Sequence, residues 1–305
     1  MKISVYITVY NVGSFLSKAI ASVISQTLKP YEIVIIDDCS TDNSQDIIKS
    51  YYNKYPDLIK PIYNNKNLGI TKSRNIALSH CSGEIITYLD GDDIYYPEKI
   101  KLEYEMLKKN TELKCVFSNF NYIDENGNNI GQFASVDEQP ISGEIFSSVF
   151  ARQMNVRSGG SLRSEMFYKE CLIKTGLYDE KLLFWDDWDL HIRMSKYYQF
   201  GYCPNINSAY RKWSGSINAM PLEYHFRDQI RIYNKNKILI QDLLKNEQSF
   251  INNRVYAKIK GLFIDIIKKT KRDNNFFHTI YYCIYFISTF RTRKSISEVL
   301  NCLHK

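Results

Sequence analysis

The sequence predicts an α/β fold, with a mostly parallel sheet in its first part and a helical region at its C-terminal end. Short β-branched runs alternate with helically spaced apolar residues through the first third of the 305 residues. One such run, residues 32–36, is almost entirely apolar, as expected of a strand buried on both faces of a sheet. Beyond residue 222 nearly every segment has helical spacing.

The first third has the pattern of successive βαβ units, which join parallel strands. Apolar residues at positions 16, 20, 23 and 24 predict the first helix, and Ser40 or Thr41 offers an N-cap for the second. The predicted strands lie at 3–8, 32–36, 59–63 and 84–89, and the predicted helices at 15–26, after Thr41 and at 72–79.

After residue 105 the pattern is looser. Residues 114–120 predict a further strand, and the turn sequence DENGNN at 124–129 predicts a hairpin. The Gly- and Ser-rich segment 131–163 predicts loops, and we expect helices near 164–174 and 187–198.

The composition is that of a folded globular protein, with 44% hydrophobic and 24% charged residues. The seven cysteines stand far apart without a CxxC pair, so we expect reduced thiols in a cytoplasmic protein and no zinc site. The first residues run directly into a predicted strand, so no signal peptide is expected.

The stretch YLDGDDIYYP, residues 88–97, puts Asp90, Asp92 and Asp93 directly after an apolar strand. Two like charges about 4 Å apart repel by about 1 kcal/mol in water and about 4 kcal/mol in a semi-buried setting. A turn of the Asp-Gly type requires only one of the three acids. Carboxylates are ligands for Mg²⁺ and related cations, so the cluster predicts a divalent cation at this strand end.

A second acidic cluster, FWDDWDLHIRM at 184–194, contains Asp186, Asp187 and Asp189 before a helical apolar pattern. Acids in the first turn of a helix are ordinary, because the helix dipole favours them. Tryptophans on both sides would desolvate a carboxylate and suit it to act as a general base. The sequence leaves both interpretations open.

Three weaker signals lie at other predicted strand ends and helices. TVYN, residues 8–11, follows the first strand, where open α/β sheets bind ligands, but it is also an ordinary helix cap. Asp37 and Asp38 end the second strand, either as ligand acceptors or as capping acids. Arg74, in NLGITKSRNIAL, either binds phosphate or is solvated. The dinucleotide fingerprint and the phosphate-binding P-loop are both absent from the sequence.

Taken together and in this order, these stretches resemble the family 2 glycosyltransferases, which are inverting enzymes with the GT-A fold. The resemblance covers roughly residues 2–215 and implies a Rossmann-like, mostly parallel central sheet with flanking helices. The matching stretches are SVYITVYN, EIVIIDDCSTDNS, NLGITKSRNIAL, YLDGDDIYYP and TGLYDEKLLFWDDWDLHIRM.

The resemblance implies a role for each matching residue. Asp92, together with Asp90, would hold Mn²⁺ or Mg²⁺, and Asp187 would be the catalytic base. Asp38 would bond a uracil ring. The residues expected to contact the nucleotide sugar are Thr8, Tyr10, Asp38, Arg74, Asp90, Asp93 and Arg211.

The chain departs from the family pattern at two places. Asp186 and Asp187 stand where the family has a Glu-Asp pair. In YRKWSGS, Trp213 stands where the family often has a histidine that can touch metal or diphosphate. We therefore expect Arg211 or Lys212 to neutralise the diphosphate instead.

The implied function is inverting transfer of a sugar, from a UDP-sugar, to a glycan hydroxyl. The acceptor would be lipid-linked, in O-antigen or capsule polysaccharide synthesis. Residues 1–105 would form the nucleotide-sugar-binding half, 106–221 the acceptor-binding and catalytic half, and 222–305 the helical tail. The alternatives are a nucleotidyltransferase on a related sheet and a non-enzymatic membrane-bound scaffold.

The tail is basic, with 16 Lys and Arg against 7 Asp and Glu in residues 222–305. Its uncharged segment 274–290 has an apolar stretch shorter than the ~20 residues that a spanning helix needs. It suits an interfacial helix on an anionic membrane, at the inner face of the cell membrane, or equally a helix packed on the protein. No nucleic-acid-binding motif accompanies the charge, so nucleic acid is not expected.

Overall fold

The computed structural model describes residues 1–157, 162–216, 221–273 and 275–304. These residues form two compact units. The first consists of Met1–Val149 and Gln153–Ser216, and the second of Phe150–Arg152 and the described residues after position 220.

The first unit is built on a sheet of nine strands with helices beside it, in the part of the chain that is described. Its strands are β1 (Ile3–Val9), β2 (Glu32–Asp37), β3 (Ile59–Tyr63), β4 (Ile85–Asp90), β5 (Ile94–Tyr95), β6 (Leu113–Ile123), β7 (Asn129–Gln132), β8 (Met166–Tyr168) and β9 (Gln199–Arg211). Its helices are α1 (Gly13–Ile24), α2 (Ser44–Lys54), α3 (Ile70–His80), α4 (Lys99–Lys109), α6 (Cys171–Thr175) and α7 (Asp186–Ser195), while α5 (Phe146–Ala151) contains the division at Val149.

The strand order is β3-β2-β1-β4-β8-β6-β9-β5, with β7 paired to β6. The strands β1 to β4 are parallel to one another, as the βαβ pattern predicted. Beyond β4 the sheet is mixed, because β8 is antiparallel to β4 and to β6 whereas β9 is parallel to β6. The predicted α/β fold is confirmed, with an all-parallel part in the first third of the chain and a mixed part beyond it.

The core of this unit lies between the parallel strands and their helices. Every residue of β1 and β2 is buried, so both faces of these strands are covered. Helix α1 adds Leu16, Ile20 and Val23 to the same apolar cluster. Burying such a side chain contributes about 1.5–3 kcal/mol, so this cluster fixes the position of the strand ends.

Strand β9 is the largest element that the sequence analysis missed. Its sequence, QFGYCPNINSAYR, contains Gly, Pro and Asn, which are depleted in strands. It pairs with β6 through irregular register, and a Cβ at Gly201 would lie only 2.6 Å from Leu113 Cδ1. The glycine therefore permits a close approach that a local propensity argument disfavours.

Three smaller predictions were wrong. The hairpin expected at 124–129 is confirmed by the antiparallel pair β6 and β7, but the segment expected to be loops contains the end of β7 and all of α5. The helix expected near 164–174 is instead β8 followed by the short α6. Helix α2 begins later than Ser40 or Thr41 would allow: its N-cap position is Asn43, whose side chain makes no cap hydrogen bond, and Ser40 instead accepts a hydrogen bond from the backbone N–H of Asn11. Residues 158–161 of the predicted loop lie outside the described residues.

The second unit is helical, as predicted. It contains α8 (Leu222–Asn236), a 3-10 turn at Lys237–Ile240, α9 (Lys245–Arg272), α10 (Phe276–Phe290) and α11 (Arg293–His304). Aromatic rings form its core, with Phe263 stacked on Phe286 at 4.5 Å and Phe226 edge-on to Tyr282 at 5.7 Å. The uncharged segment packs partly against α8 and α9, and its first residue, Asn274, lies outside the described residues.

Two helices of this unit keep apolar side chains at the surface. Phe277 is 85% exposed and Ile284 is 62% exposed on α10, and Ile296, Leu300 and Leu303 are exposed on α11. None of the helices in the described residues is both long enough and apolar enough to cross a bilayer.

Candidate active site

The carboxyl ends of the parallel strands bring the first group of predicted residues together. In the sheet register Thr8 lies opposite Asp90, and its hydroxyl donates a hydrogen bond to Asp90 Oδ1 at 3.0 Å. The backbone N–H of Asp38 donates to the carbonyl of Val9 at 2.8 Å. Tyr10 extends beyond the sheet and is 48% exposed. The edge expected to bind a ligand in an open α/β sheet therefore carries Thr8, Asp38 and Asp90 side by side.

The carboxylates of Asp38 and Asp37 accept hydrogen bonds from different segments of the chain. Asp38 is buried and accepts hydrogen bonds from the Asn64 side chain and from the backbone N–H groups of Leu68 and Gly69, each at 2.8 Å. It thereby fixes the loop that precedes α3. Asp37 accepts from the backbone N–H of Ser40 and from the side chain of Gln45, so it closes the turn before α2 rather than capping the helix.

Arg74 is buried between two acids that are far apart in sequence. Its guanidinium donates to Asp186 Oδ2 at 2.5 Å and to Asp90 Oδ1 at 2.9 Å. Burial alone would raise the pKa of Asp90, but Arg74 and Arg163 outweigh burial and lower that pKa. Both Nη groups of Arg74 donate to carboxylates. The expected contact of Arg74 with the nucleotide sugar therefore stays a prediction. The observed contact ties the end of β4 to the start of α7.

The acids of the second cluster have three different environments. Asp186 is held by Arg74, and Asp189 forms an ion pair with Arg193 at 2.7 Å inside the protein. Asp187 is only half-buried. The residue before the pair, Trp185, has a left-handed backbone with φ of 59°, which is uncommon for a bulky residue and typical of functional sites. Asp187 is therefore the acid of this cluster that remains accessible.

The pairing of β5 with β9 explains how the acidic turn meets the end of β9. Ile94 lies opposite Ala209, which places the turn residues just before β5 beside Arg211. The backbone N–H of Arg211 donates to Asp93 Oδ1 at 2.8 Å. Burial, followed by the charges of Asp92 and Asp90, raises the pKa of Asp93 well above its ordinary value. Asp93 is thus a buried acid that braces the turn.

The side chain of Arg211 is buried, and its donors bind the main chain. It is only 2% exposed, and its guanidinium donates to the backbone carbonyls of Asp92, Asp124 and Glu125. The expectation that Arg211 reaches the diphosphate is at odds with this geometry, because its donors support the main chain. Lys212, the other predicted cation, lies 3.8 Å from the ring centre of Tyr122.

Sequence reasoning missed Arg163. Its guanidinium lies over the ring of Tyr210 at 3.6 Å and 3.7 Å from Asp90 Oδ2. Burial lowers its pKa, but Tyr210 and the charges of Asp187, Asp93 and Asp90 raise it more. Within the described residues its guanidinium makes no hydrogen bond. An isolated arginine in a polar loop gives no local pattern that would identify it.

The acidic turn offers one carboxylate oxygen to a cation. Asp92 is half-buried, and its Oδ2 accepts a hydrogen bond from Trp213 Nε1 at 2.7 Å. Its Oδ1 accepts none from any other described residue. Burial, followed by the charge of Asp90, raises the pKa of Asp92 and so disfavours its charged form. A cation bound there would stabilise the charged carboxylate.

The described residues contain no cluster of three or more His, Cys, Asp or Glu side chains placed as a complete metal site. Mg²⁺ usually takes only one or two carboxylates and completes its shell with phosphate oxygens and water. Asp92 fits that requirement. Asp90, whose oxygens already engage Arg74 and Thr8, fits it less well.

Comparisons with known proteins show the family and the fold of the chain. Residues 4–162 match the family described as Glycosyl transferase family 2. An uncharacterized glycosyltransferase of Nostoc sp. is 36% identical over 174 residues, which are 55% of this chain and 53% of that protein. An uncharacterized glycosyltransferase of Methanocaldococcus jannaschii is 29% identical over 264 residues, 84% of each chain. The chain thus spans about half the length of the first relative and most of the second.

Solved structures share the fold at low sequence identity. S. aureus TarS 1–349 in complex with UDP-GlcNAc has a TM-score of 0.61 and 18% identity, covering 90% of this chain and 88% of that one. The mannosyltransferase PcManGT from Pyrobaculum calidifontis, in complex with GDP-Man and Mn²⁺, has a TM-score of 0.61 and 12% identity, covering 100% and 86%. These likenesses confirm the GT-A fold that the sequence resemblance implied.

Proposed function

The chain belongs to glycosyl transferase family 2, and we propose that it is an inverting enzyme that transfers a sugar from a UDP-sugar to a hydroxyl group of a glycan. In this proposal residues 1–105 bind the donor and residues 106–221 bind the acceptor and supply the base. The observation that carries the proposal is the half-buried Asp187. It follows directly on the Asp186–Arg74–Asp90 link to the strand ends where such sheets bind ligands.

In the proposed reaction Asp187 takes the proton from the acceptor hydroxyl. The freed electron pair of that oxygen forms a bond to the anomeric carbon from the face opposite the diphosphate. The bond between that carbon and the diphosphate oxygen breaks, and its electron pair leaves with the nucleoside diphosphate. A single displacement inverts the configuration, so an α-linked donor gives a β-linked product.

Positive charge is needed where the diphosphate leaves. Arg163 is the cation that we assign to it, because its guanidinium lies 3.7 Å from Asp90 Oδ2 and makes no hydrogen bond within the described residues. Guanidinium groups bind phosphate through two parallel hydrogen bonds. A divalent cation held by Asp92 would add positive charge there and make the diphosphate a better leaving group.

The choice of a uridine donor rests on two supports. The resemblance gives Asp38 the role of bonding uracil, with Thr8 and Tyr10 beside the base. The TarS structure that shares this fold contains UDP-GlcNAc. The PcManGT structure contains GDP-Man, so a guanosine donor is the alternative that the experiment must separate.

We propose that the acceptor is a lipid-linked glycan of a surface polysaccharide, and that the protein binds the inner face of an anionic membrane. The support is the exposed apolar side chains of α10 and α11 together with the cations beside them. Lys271 and Arg272 are exposed before α10, and Arg291 and Lys294 are exposed after it. An apolar helix face flanked by cations is the pattern of interfacial binding.

The first test is a thermal-shift panel of UDP, GDP, CDP and ATP, with and without Mn²⁺, on wild type and Asp92→Ala. The proposal predicts a shift with UDP that needs Mn²⁺ and is lost in the variant. A shift with GDP alone would replace the donor, and a shift with ATP alone would favour nucleotidyl transfer. If no nucleotide shifts the wild type, the proposal is wrong.

A further inference from the structure

Trp213 contacts Asp92, a residue that is distant in the sequence. The indole N–H of Trp213 donates a hydrogen bond to Asp92 Oδ2 at 2.7 Å, across 121 residues of sequence. An indole has one donor and no acceptor, so it cannot be a metal ligand itself. Its effect on a cation must therefore pass through the carboxylate.

The position of the Trp213 ring is fixed from two sides. Phe15, on α1, meets the ring edge-on with centroids 5.1 Å apart. Gly215 lies against it on another side, where a Cβ would come within 2.2 Å of Trp213 Cζ3. Only a glycine at position 215 lets the ring lie where its N–H reaches Asp92.

The main chain of the same turn is held independently of the indole. Arg211 Nε donates to the carbonyl of Asp92, and its backbone N–H donates to Asp93, both at 2.8 Å. The backbone at Asp92 thus stays in place without Trp213, whereas the direction of the carboxylate depends on the indole. This separation makes the role of the indole testable on its own.

We infer that Trp213 is a positioning residue that holds Oδ2 of Asp92 and presents Oδ1 to the divalent cation. The inference rests on the proposed metal site. The cation would then have a single oxygen of this carboxylate as its ligand, and the hydrogen bond would fix the rotamer that offers it. Loss of groups that orient a metal ligand typically weakens metal binding by about 10–100-fold.

The test measures Mn²⁺ binding directly, from the loss of the free Mn²⁺ EPR signal, with UDP present at a saturating concentration. Trp213→Phe keeps a ring against Phe15 and removes the N–H. We expect its Kd for Mn²⁺ to rise about 10–100-fold, while its unfolding temperature without ligands stays within error of wild type.

Two further variants separate positioning from packing. Gly215→Ala keeps the indole but displaces the ring, so it should weaken Mn²⁺ binding in the same direction as Trp213→Phe. Trp213→His restores a donor at this place that can also ligate, and it should recover binding where Trp213→Phe does not.

The outcomes distinguish this inference from the proposed function. If wild type binds Mn²⁺ and Trp213→Phe binds it equally well, Trp213 does not position Asp92, and the proposed function stands. If wild type binds UDP but no Mn²⁺, the metal site and this inference are both wrong. If wild type binds neither UDP nor Mn²⁺, the proposed function is wrong as well.

Discussion

In the first unit a group of charged side chains lies buried beside the proposed site, and in the second unit large apolar side chains of α10 and α11 lie at the surface, although Ile173 of the first unit is also 88% exposed. Arg74 and Asp186 are almost inaccessible, and so is the Lys99–Glu103 pair, joined at 2.8 Å. Phe277 and Ile284 on α10 are mostly exposed. Proteins usually avoid both arrangements, because a buried charge loses its hydration and an exposed apolar patch orders water.

The difference teaches where to look for function in each unit. A buried charge is retained when it has a partner or a function. In the first unit the informative residue is therefore Asp187, the acid of the second cluster that remains accessible and forms no ion pair with a described residue. An exposed apolar side chain is retained when something covers it, so in the second unit the informative surface is the exposed side of α10 and α11. Variants in each unit distinguish a functional departure from a tolerated one.

The largest effect is expected from Asp187→Asn. If Asp187 is the base, kcat should fall by at least about 100-fold, because general-base catalysis typically contributes 10²–10⁴. UDP affinity should not change. The matched control on the same helix is Asp189→Asn, which breaks the ion pair with Arg193 and should lower the unfolding temperature more than the turnover of the folded protein. Normal turnover by Asp187→Asn would show that another group is the base.

Arg74→Met tests whether the buried charges also hold the first unit together. The variant leaves Asp186 buried without its cation and Asp90 with only the more distant Arg163, which should reduce the free energy of unfolding by about 3–5 kcal/mol. Chemical denaturation measures this. Adding Asp186→Asn should recover part of the loss, and the absence of any recovery would mean that the pair contributes through packing alone.

The pH dependence of stability tests a second buried pair, His191 and Glu165, whose Nε2 and Oε1 atoms are 2.7 Å apart. Burial lowers the pKa of His191, but Glu165 outweighs burial and raises it above its ordinary value. The pair therefore stabilises the fold fully below about pH 6.5, and this contribution is lost as the pH rises through the folded pKa.

The free energy of unfolding of the wild type should exceed that of His191→Gln at low pH. This difference should shrink as the pH rises, by at most about 1.4 kcal/mol per pH unit. Unfolding temperatures between pH 6 and pH 9 measure the difference. A constant difference between the two proteins across this range would show that His191 does not change protonation there.

The smallest effect on stability is expected from the exposed side of α10. Phe277→Ala should change the free energy of unfolding by no more than about 0.5 kcal/mol, because the side chain is already in water. It should nevertheless weaken sedimentation with anionic lipid vesicles, and neutral vesicles should bind both proteins poorly.

The matched control is Phe286→Ala on the same helix, which removes a fully buried ring and should cost about 3–5 kcal/mol. Vesicle binding should be compared among wild type, Phe277→Ala and the double variant that also carries Ile284→Ala. If all three bind equally, α10 is not part of the proposed membrane surface. Concentration-dependent self-association lost in the same variants would instead assign this surface to a second copy of the chain.

The sequence predicts the parts of the site that are local. Thr8, Asp38 and Asp90 follow apolar strands, and parallel strands end at one edge, so their proximity follows from the pattern of the first third. The contacts between Arg74 and Asp186 and between Trp213 and Asp92 span more than 100 residues, and no local pattern encodes them.

Two departures from the sequence predictions have the same origin. Arg211 was expected to neutralise the diphosphate because Trp213 stands where the family often has a histidine, but the pairing of β5 with β9 turns the Arg211 side chain inward onto carbonyl groups. Strand β9 itself has weak strand propensity and forms because β6 offers it a long partner. Tertiary pairing decided both outcomes.

The seven cysteines have a practical consequence for labelling chemistry. None of the seven forms a disulfide in the described residues, and only Cys39 and Cys302 are partly accessible. Burial raises the pKa of Cys81 and Cys171 to about 12 and that of Cys283 to about 11, and only a thiolate reacts readily with maleimides. Cys39 follows directly on Asp38, whereas Cys302 lies on α11. The unmodified chain therefore offers one attachment point for a fluorophore beside the proposed base-binding residue and another on the helix proposed to meet lipid.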